Sequence, residues 1–198
     1  MTASRTPTDE VEIRRAGPDD FAIVAELART TWRAHFPGII TPAQIEYMLD
    51  RRYTPEALDR AVRDEELLFE VLRREGLPCA FAAHAATEEP DAWKLHQLYV
   101  LPDWQRHGLG GRLMAHVEHW ALAHGRRRLL LTVNRRNLPA ILAYQRRGFH
   151  IREEAVFDIG NGFVMDDFIM EKPLVMTPPG GADPRCMDRA GDASSAKG

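Results

Sequence analysis

The stretch Leu95–Met114, LHQLYVLPDWQRHGLGGRLM, constrains this chain more than any other. An apolar strand over Trp93–Leu101 meets a short turn. A glycine-rich loop follows and opens an amphipathic helix over Leu109–His124, with Leu113, Val117, Trp120 and Ala121 facing inward. A strand that feeds a glycine loop and a helix predicts an α/β fold. The first N–H groups of a helix lack intrahelical acceptors, and the positive end of the helix dipole lies behind them. Such a loop grips an anion, so a phosphate-bearing ligand is expected here.

Three phosphate loops compete. The P-loop needs Gly-Lys-Ser/Thr, but Gly110 is followed by Gly111 and Arg112. The dinucleotide fingerprint needs a third glycine where Leu113 stands, and an acid about 20 residues on, where the basic run Arg126-Arg127-Arg128 lies. The third pattern, Gln/Arg-x-x-Gly-x-Gly/Ala after a strand, is met in full by Gln105-Arg106-His107-Gly108-Leu109-Gly110. A second match lies downstream. The apolar run Leu129–Val133 leads to Asn134, Asn137, a helix carrying Tyr144, and Gly148-Phe149. In these motifs, their order and their spacing, the chain resembles the GNAT superfamily of acyl-CoA-dependent N-acetyltransferases over roughly residues 10–174. Trp32, Phe36, the Thr41–Leu49 segment and the ending Gly162–Lys172 further resemble bacterial polyamine N-acetyltransferases.

Local patterns outside these motifs agree with one α/β domain. Val11, Ile13 and Arg15 mark a short strand, and Gly17-Pro18 starts a helix with Phe21, Val24, Leu27, Ala28 and Thr31 at helical spacing. Thr41-Pro42 and Thr54-Pro55 start two more helices, the first burying Ile45, Met48 and Leu49, the second carrying Leu58, Ala61 and Val62. Leu67–Arg73 and Pro78–Ala86 form a hairpin, and His150–Ile159 with Phe163–Leu174 form another around Gly160-Asn161-Gly162. A helix is expected over Pro139–Arg147. The expected division is a flexible N-terminus over 1–10, a domain over 11–175, and a disordered tail over 176–198 that is poor in large apolar residues. The resemblance implies a single-domain fold with a mixed, mostly antiparallel sheet flanked by helices. In it the strand before the glycine loop and the strand after its helix run parallel and splay apart.

The 198 residues suffice for one sizeable core, and a net charge of −3 gives no reason to expect nucleic-acid binding. Two distant cysteines, Cys79 and Cys186, argue against a disulfide framework and for a reducing cytoplasm. No apolar run approaches the roughly 20 residues of a membrane span, and no signal-peptide core opens the chain, so no membrane partner is expected. His116, His119 and His124 share a helix without the spacing or extra ligands of a metal site, so no metal is expected.

The resemblance implies acetyl-CoA as co-substrate and direct transfer to an amine in a ternary complex, by a monomer or homodimer. The cofactor residues it implies are Gln105, Arg106, His107, Gly108, Leu109, Gly110 and Gly111. The N–H groups of Arg106, Gly108, Gly110 and Gly111 serve as pyrophosphate donors, Gly111 being alternatively a small packing residue. Val100 meets the pantetheine arm through its backbone. Leu98 N–H polarises the thioester carbonyl. Asn137 either lies near the pantetheine or diphosphate, or caps a helix, or does both. Tyr144 protonates the leaving thiolate, or is a core aromatic.

Many relatives carry a Glu base on the strand before the loop. Here no Glu lies between Asp91 and Val100, and His96 stands there instead, with the parity of Leu98 and Val100. It is the candidate base, or a half-buried structural histidine; His35 is the second candidate. Trp32, Phe36, Glu46, Asp50, Asp166 and Asp167 are candidates to line the acceptor site and, through the acids, to hold a polyamine. Arg126-Arg127-Arg128 is a solvated turn or a contact for the cofactor's 3′-phosphate. The expected acceptor is a small polyamine; the alternatives are a peptide or protein N-terminus, or a non-catalytic acyl-CoA sensor.

Overall fold

The computed structural model describes residues 10–175. The expected tail over 176–198, Cys186 and all of the expected flexible N-terminus except Glu10 lie outside the described residues. The chain runs β1 (Val11–Arg15), α1 (Phe21–His35), α2 (Pro42–Arg52), α3 (Pro55–Asp64), β2 (Leu68–Arg74), β3 (Leu77–Ala86) and β4 (Ala92–Val100). It continues with α4 (Leu109–Ala123), β5 (Arg128–Asn134), α5 (Leu138–Gln145), β6 (His150–Gly160) and β7 (Phe163–Pro173).

Short-range chemistry sets these boundaries. Thr41 Oγ1 accepts the Gln44 N–H at 3.2 Å, and Thr54 Oγ1 accepts the Ala57 N–H at 3.1 Å. Proline occupies the first turn in each case, so α2 and α3 start where the sequence predicts. Asn161 and Gly162 have φ of 55° and 74°, the two left-handed positions that close a tight hairpin between β6 and β7. One detail differs from expectation. Gly17-Pro18 opens a single 3₁₀ turn over Pro18–Asp20, and α1 begins after it. Of the three apolar residues that α3 carries, Leu58 and Ala61 are buried and Val62 is exposed.

The strands form one sheet in the order β1-β2-β3-β4-β5-β7-β6. All neighbouring strands are antiparallel except β4 and β5. On one face Leu113, Val117 and Ala121 of α4 pack on Leu95, Leu129, Leu131 and Met170. On the other, Val24, Leu27 and Ala28 of α1, Leu49 of α2 and Leu58 of α3 pack on Phe69, Val71, Phe81 and Ala83. Each large side chain buried in these layers contributes about 1.5–3 kcal/mol.

Two irregularities of β4 open and shape a cleft in the sheet. Its parallel ladder with β5 covers only Ala92–Leu95 against Arg128–Leu131; beyond it the two strands no longer pair with each other, each staying paired with its outer neighbour, β3 or β7. This is the splay. In addition, His84 of β3 faces Leu95 while Ala83 faces Gln97, so His96 is an extra residue on β4, a β-bulge. The bulge resets the alternation. Leu95, Leu98 and Val100 all pack toward α4, whereas Tyr99 packs toward α1.

Candidate active site

Beyond Leu95 and Leu131 a cavity of about 720 Å³ passes through the gap between β4 and β5. Gln105, Gly110, Gly111, Ala140, Tyr144 and Arg147 line it from the α4 and α5 side. Trp32, Phe36, Arg52, Lys94, Asp158 and Asp167 line it from the opposite side, and Leu98 and Val100 stand between.

The backbone of β4 faces this gap. Leu101 N–H donates to the Cys79 carbonyl at 2.9 Å, in the register that pairs Ala80 with Val100. Alternation then turns the polar backbone groups of Gln97 and Tyr99 toward β3, and those of Leu98 and Val100 toward the splay. Gln105 Nε2 donates to the Val100 carbonyl at 3.0 Å, which ties the glycine loop to the strand. Arg106 and Gly108 have φ of 66° and 77°, so the loop curls and Gly108 caps α4 in a left-handed conformation. This points successive N–H groups at one concavity, next to the helix N-terminus. Gly110 sits on β4: a Cβ there would meet Leu98 Cδ2 at 3.4 Å and Val100 Cγ2 at 3.5 Å. At Gly111 a Cβ would lie 1.9 Å from Arg147 Nη2, so a guanidinium covers that glycine. Left-handed backbone, free donors and a neighbouring guanidinium fit a diphosphate.

Tyr144 lies on α5 with its ring 5.7 Å from that of Phe149, and it packs against the α4-side core. Burial raises its pKa, so it is a neutral phenol that holds a donor proton at any working pH. Asn137 caps α5, accepting the Ala140 N–H at 3.4 Å. Its Oδ1 also lies 3.1 Å from His35 Nε2, which engages His35 in tying α1 to α5.

The acceptor half differs from expectation at several residues. Glu46 is exposed, lies outside the cavity and is bound by Arg33 at 2.7 and 2.9 Å. Asp50 is exposed and also outside the cavity. The helical periodicity of α2 spends its inward face on Ile45, Met48 and Leu49, which leaves these acids in solvent. Asp166 likewise points out, beside Arg135 at 3.5 Å. Trp32, Phe36 and Asp167 do line the cavity. His96 lines it too, but the bulge breaks its parity with Leu98 and Val100. Burial first, then Lys94 and Arg52, push its pKa down to about 3, far below the range of an imidazole that collects protons near neutrality. Arg128 pairs with Glu89, Asp91 and Glu171, and Arg126 donates to the Pro90 carbonyl. These contacts lie where β5 begins, at the end of the sheet away from the glycine loop, so the run is engaged in ion pairs and turn contacts there.

Of the acids expected from the sequence, Asp167 is the one that the fold places in the cavity. It is 6% exposed, and among the described residues its carboxylate has one hydrogen bond, a long one from Asn134 Nδ2 at 3.5 Å. Asn134 Oδ1 accepts the Arg136 N–H at 3.0 Å, which fixes the amide with its donor toward Asp167. Burial raises the Asp167 pKa to about 6; Asn134 and Lys94 oppose the rise and Asp166 adds to it. Lys94 and Arg52 were not identified from the sequence. A single cation inside the apolar run Ala92–Val100 was the available signal for Lys94; Arg52 carried none.

A second buried acid, Glu70, lies outside the cavity and holds Arg15 at 2.9 Å, with His84 and His116 at 3.6 and 3.7 Å. His116 therefore faces a buried carboxylate in the core. No helix among the described residues is long and apolar enough to cross a membrane.

Comparison with known proteins gives the family. The chain is 29% identical over 147 residues to a protein of Mycobacterium tuberculosis named "Probable N-acetyltransferase", covering 71% of this chain and 80% of that one. It is 25% identical over 166 residues to the spermidine N(1)-acetyltransferase of Thermoplasma acidophilum, covering 82% and 96%. The crystal structure of the PaiA N-acetyltransferase of T. acidophilum in complex with coenzyme A superposes with a TM-score of 0.70 at 25% identity, over 83% of this chain and 99% of that one. The family model described as the acetyltransferase (GNAT) family matches residues 24–149, and the chain belongs to that family of acyltransferases.

Proposed function

We propose that this acetyltransferase moves an acetyl group from acetyl-CoA to the primary amine of a small molecule, by direct attack in a ternary complex. The observation that carries the reading is the cavity through the splay, with the glycine loop on one face and Asp167 on the other. Acetyl-CoA supplies an activated thioester. The loop N–H groups of Arg106, Gly108, Gly110 and Gly111 hold its diphosphate, and the backbone of Val100 pairs with its pantetheine arm. Leu98 N–H donates to the carbonyl oxygen as negative charge grows there. Asp167 takes a proton from the amine as the C–N bond forms. Tyr144 gives its hydroxyl proton to the sulfur as the C–S bond breaks. Trp32 and Phe36 wall the acceptor side.

His96 is neutral in this scheme and acts as a wall of the cleft. The spermidine N(1)-acetyltransferase relative supports a polyamine as a second reading of the acceptor. Glu46 and Asp50 give that reading no support, since both lie outside the cavity. The test is thiol release from acetyl-CoA across a panel of small amines. Amine-dependent release with intersecting double-reciprocal lines is expected. Parallel lines or a burst of acetyl-enzyme would contradict direct transfer, and release without any amine dependence would contradict an amine acceptor.

A further inference from the structure

We infer that the acceptor is a primary amine that also carries a carboxylate, with the amine at Asp167 and the carboxylate between Lys94 and Arg52. This rests on the transfer reading above and narrows its acceptor to one chemical class. Lys94 sits within β4 between Trp93 and Leu95, half-buried, and lines the cavity. Trp93 and Leu95 pack toward α4, so alternation turns Lys94 to the other face. Asp167 shares that face, because Phe168 and Met170 of β7 pack toward α4.

A half-buried ammonium without a counter-charge is costly, and nothing in the packing of β4 requires one. Among the described residues Lys94 makes no hydrogen bond and no ion pair. Its pKa is lowered by burial and then by Arg52, while Asp167 works in the opposite direction. Arg52, the last residue of α2, lines the same cavity and binds no carboxylate among the described residues.

Among the described residues, the remaining charges on this side form no ion pair with either cation. Arg51 is committed to the Tyr47 hydroxyl and the Ile159 carbonyl. Asp158 accepts the Gly160 N–H at 2.8 Å within its own turn. Glu65, at the end of α3, pairs with neither cation. Asp167 and Lys94 do not pair with each other either, although each feels the other's charge. Two cations and one carboxylate that form no ion pair among the described residues thus face a common cavity. A molecule with an amine at one end and a carboxylate at the other satisfies all three, with charge-assisted bonds to Lys94 and Arg52. A polyamine instead sets its second ammonium against these two cations, which like-charge repulsion disfavours.

The experiment uses three matched amines, γ-aminobutyrate, butylamine and putrescine, with the purified full-length protein and acetyl-CoA, and follows thiol release. γ-Aminobutyrate should exceed both others in kcat/KM by about tenfold or more. Lys94→Gln and Arg52→Gln should each pull the ratio of γ-aminobutyrate to butylamine toward one. Lys94→Arg should restore it, and Lys94→Glu should turn the preference toward putrescine. Equal or better use of butylamine or putrescine by the wild type overturns the inference and leaves the transfer reading standing. A ratio unmoved by Lys94→Gln, in protein with native circular dichroism and native acetyl-CoA affinity, overturns it as well. Absence of release with every amine overturns both.

Discussion

The glycine-loop part of the α4 face is built from one contiguous segment, and its working parts are mostly backbone; α5 adds Tyr144 and Arg147 beside it. Val100, Gln105, Arg106, Gly108 and Gly110 lie within a dozen residues and present N–H groups, a left-handed cap and a close helix–strand approach. The α1 face is built from side chains of separate elements: Trp32 and Phe36 at α1, Arg52 on α2, Lys94 on β4, Asp158 on β6 and Asp167 on β7. Backbone chemistry demands fixed residue types at fixed spacing, so it leaves a motif. Side-chain chemistry assembled from distant strands leaves only isolated charges in the sequence. The first design suits an invariant cofactor, and the second suits an acceptor that differs between relatives.

The largest effect that sharpens this contrast sits where the two halves meet. Tyr144→Phe keeps the ring against Phe149 and removes the proton donor. Turnover should fall roughly 100-fold with little change in acetyl-CoA binding, by steady-state kinetics alongside calorimetry. Full turnover would make Tyr144 a packing residue. Next comes Gly108→Asp, which puts a side chain at a left-handed position and a negative charge at the phosphate concavity. Acetyl-CoA affinity should drop about thirtyfold, equivalent to about 2 kcal/mol. Unchanged affinity in folded protein would remove the loop from the cofactor site.

On the other face the effects are smaller and depend on pH. Asp167 must be ionised to accept a proton, and burial raises its pKa to about 6. The rate should therefore rise with pH through about 6. Asp167→Asn should flatten that limb and cost roughly tenfold in kcat/KM on the plateau. His96→Ala should leave the limb in place, because the His96 pKa lies near 3. A limb that disappears with His96 and survives in Asp167→Asn would exchange their roles. The same shift acts on stability. A carboxyl whose folded pKa exceeds its unfolded value binds its proton more tightly when folded. It favours the fold at low pH and loses that contribution as pH rises from about 4 to about 6. Replacing it by Asn should therefore raise stability relative to wild type above pH 6 and leave the two alike below pH 4, by urea denaturation. The smallest effect is expected at Glu46. Glu46→Ala breaks a solvent-exposed pair with Arg33 and should change the acceptor KM by less than about twofold.

Much of this was legible in the sequence for local reasons. Thr-Pro pairs fixed the starts of α2 and α3, Asn161-Gly162 fixed the last hairpin, and the Gln105–Gly110 motif marked the loop. The bulge at His96 was not legible, because the register of β4 depends on its pairing with β3. That one extra residue undid a parity argument that any straight strand would have satisfied. The acids of α2 misled for a related reason. Their spacing shows that they share a helix, but which side of α2 meets the sheet is decided by Ile45, Met48 and Leu49. Asp167 could be told from Asp166 only once β7 was seen to pair Asp167 with Asn134.

The central claim is that the cofactor and the acceptor enter from opposite faces of the sheet and meet at the splay. The most direct test is the pair of KM values, for acetyl-CoA and for γ-aminobutyrate, measured in Gly108→Asp and in Lys94→Gln. The account predicts that Gly108→Asp raises the acetyl-CoA KM while the acceptor KM stays within about twofold, and that Lys94→Gln does the reverse. A variant that raises both KM values equally would contradict the separation.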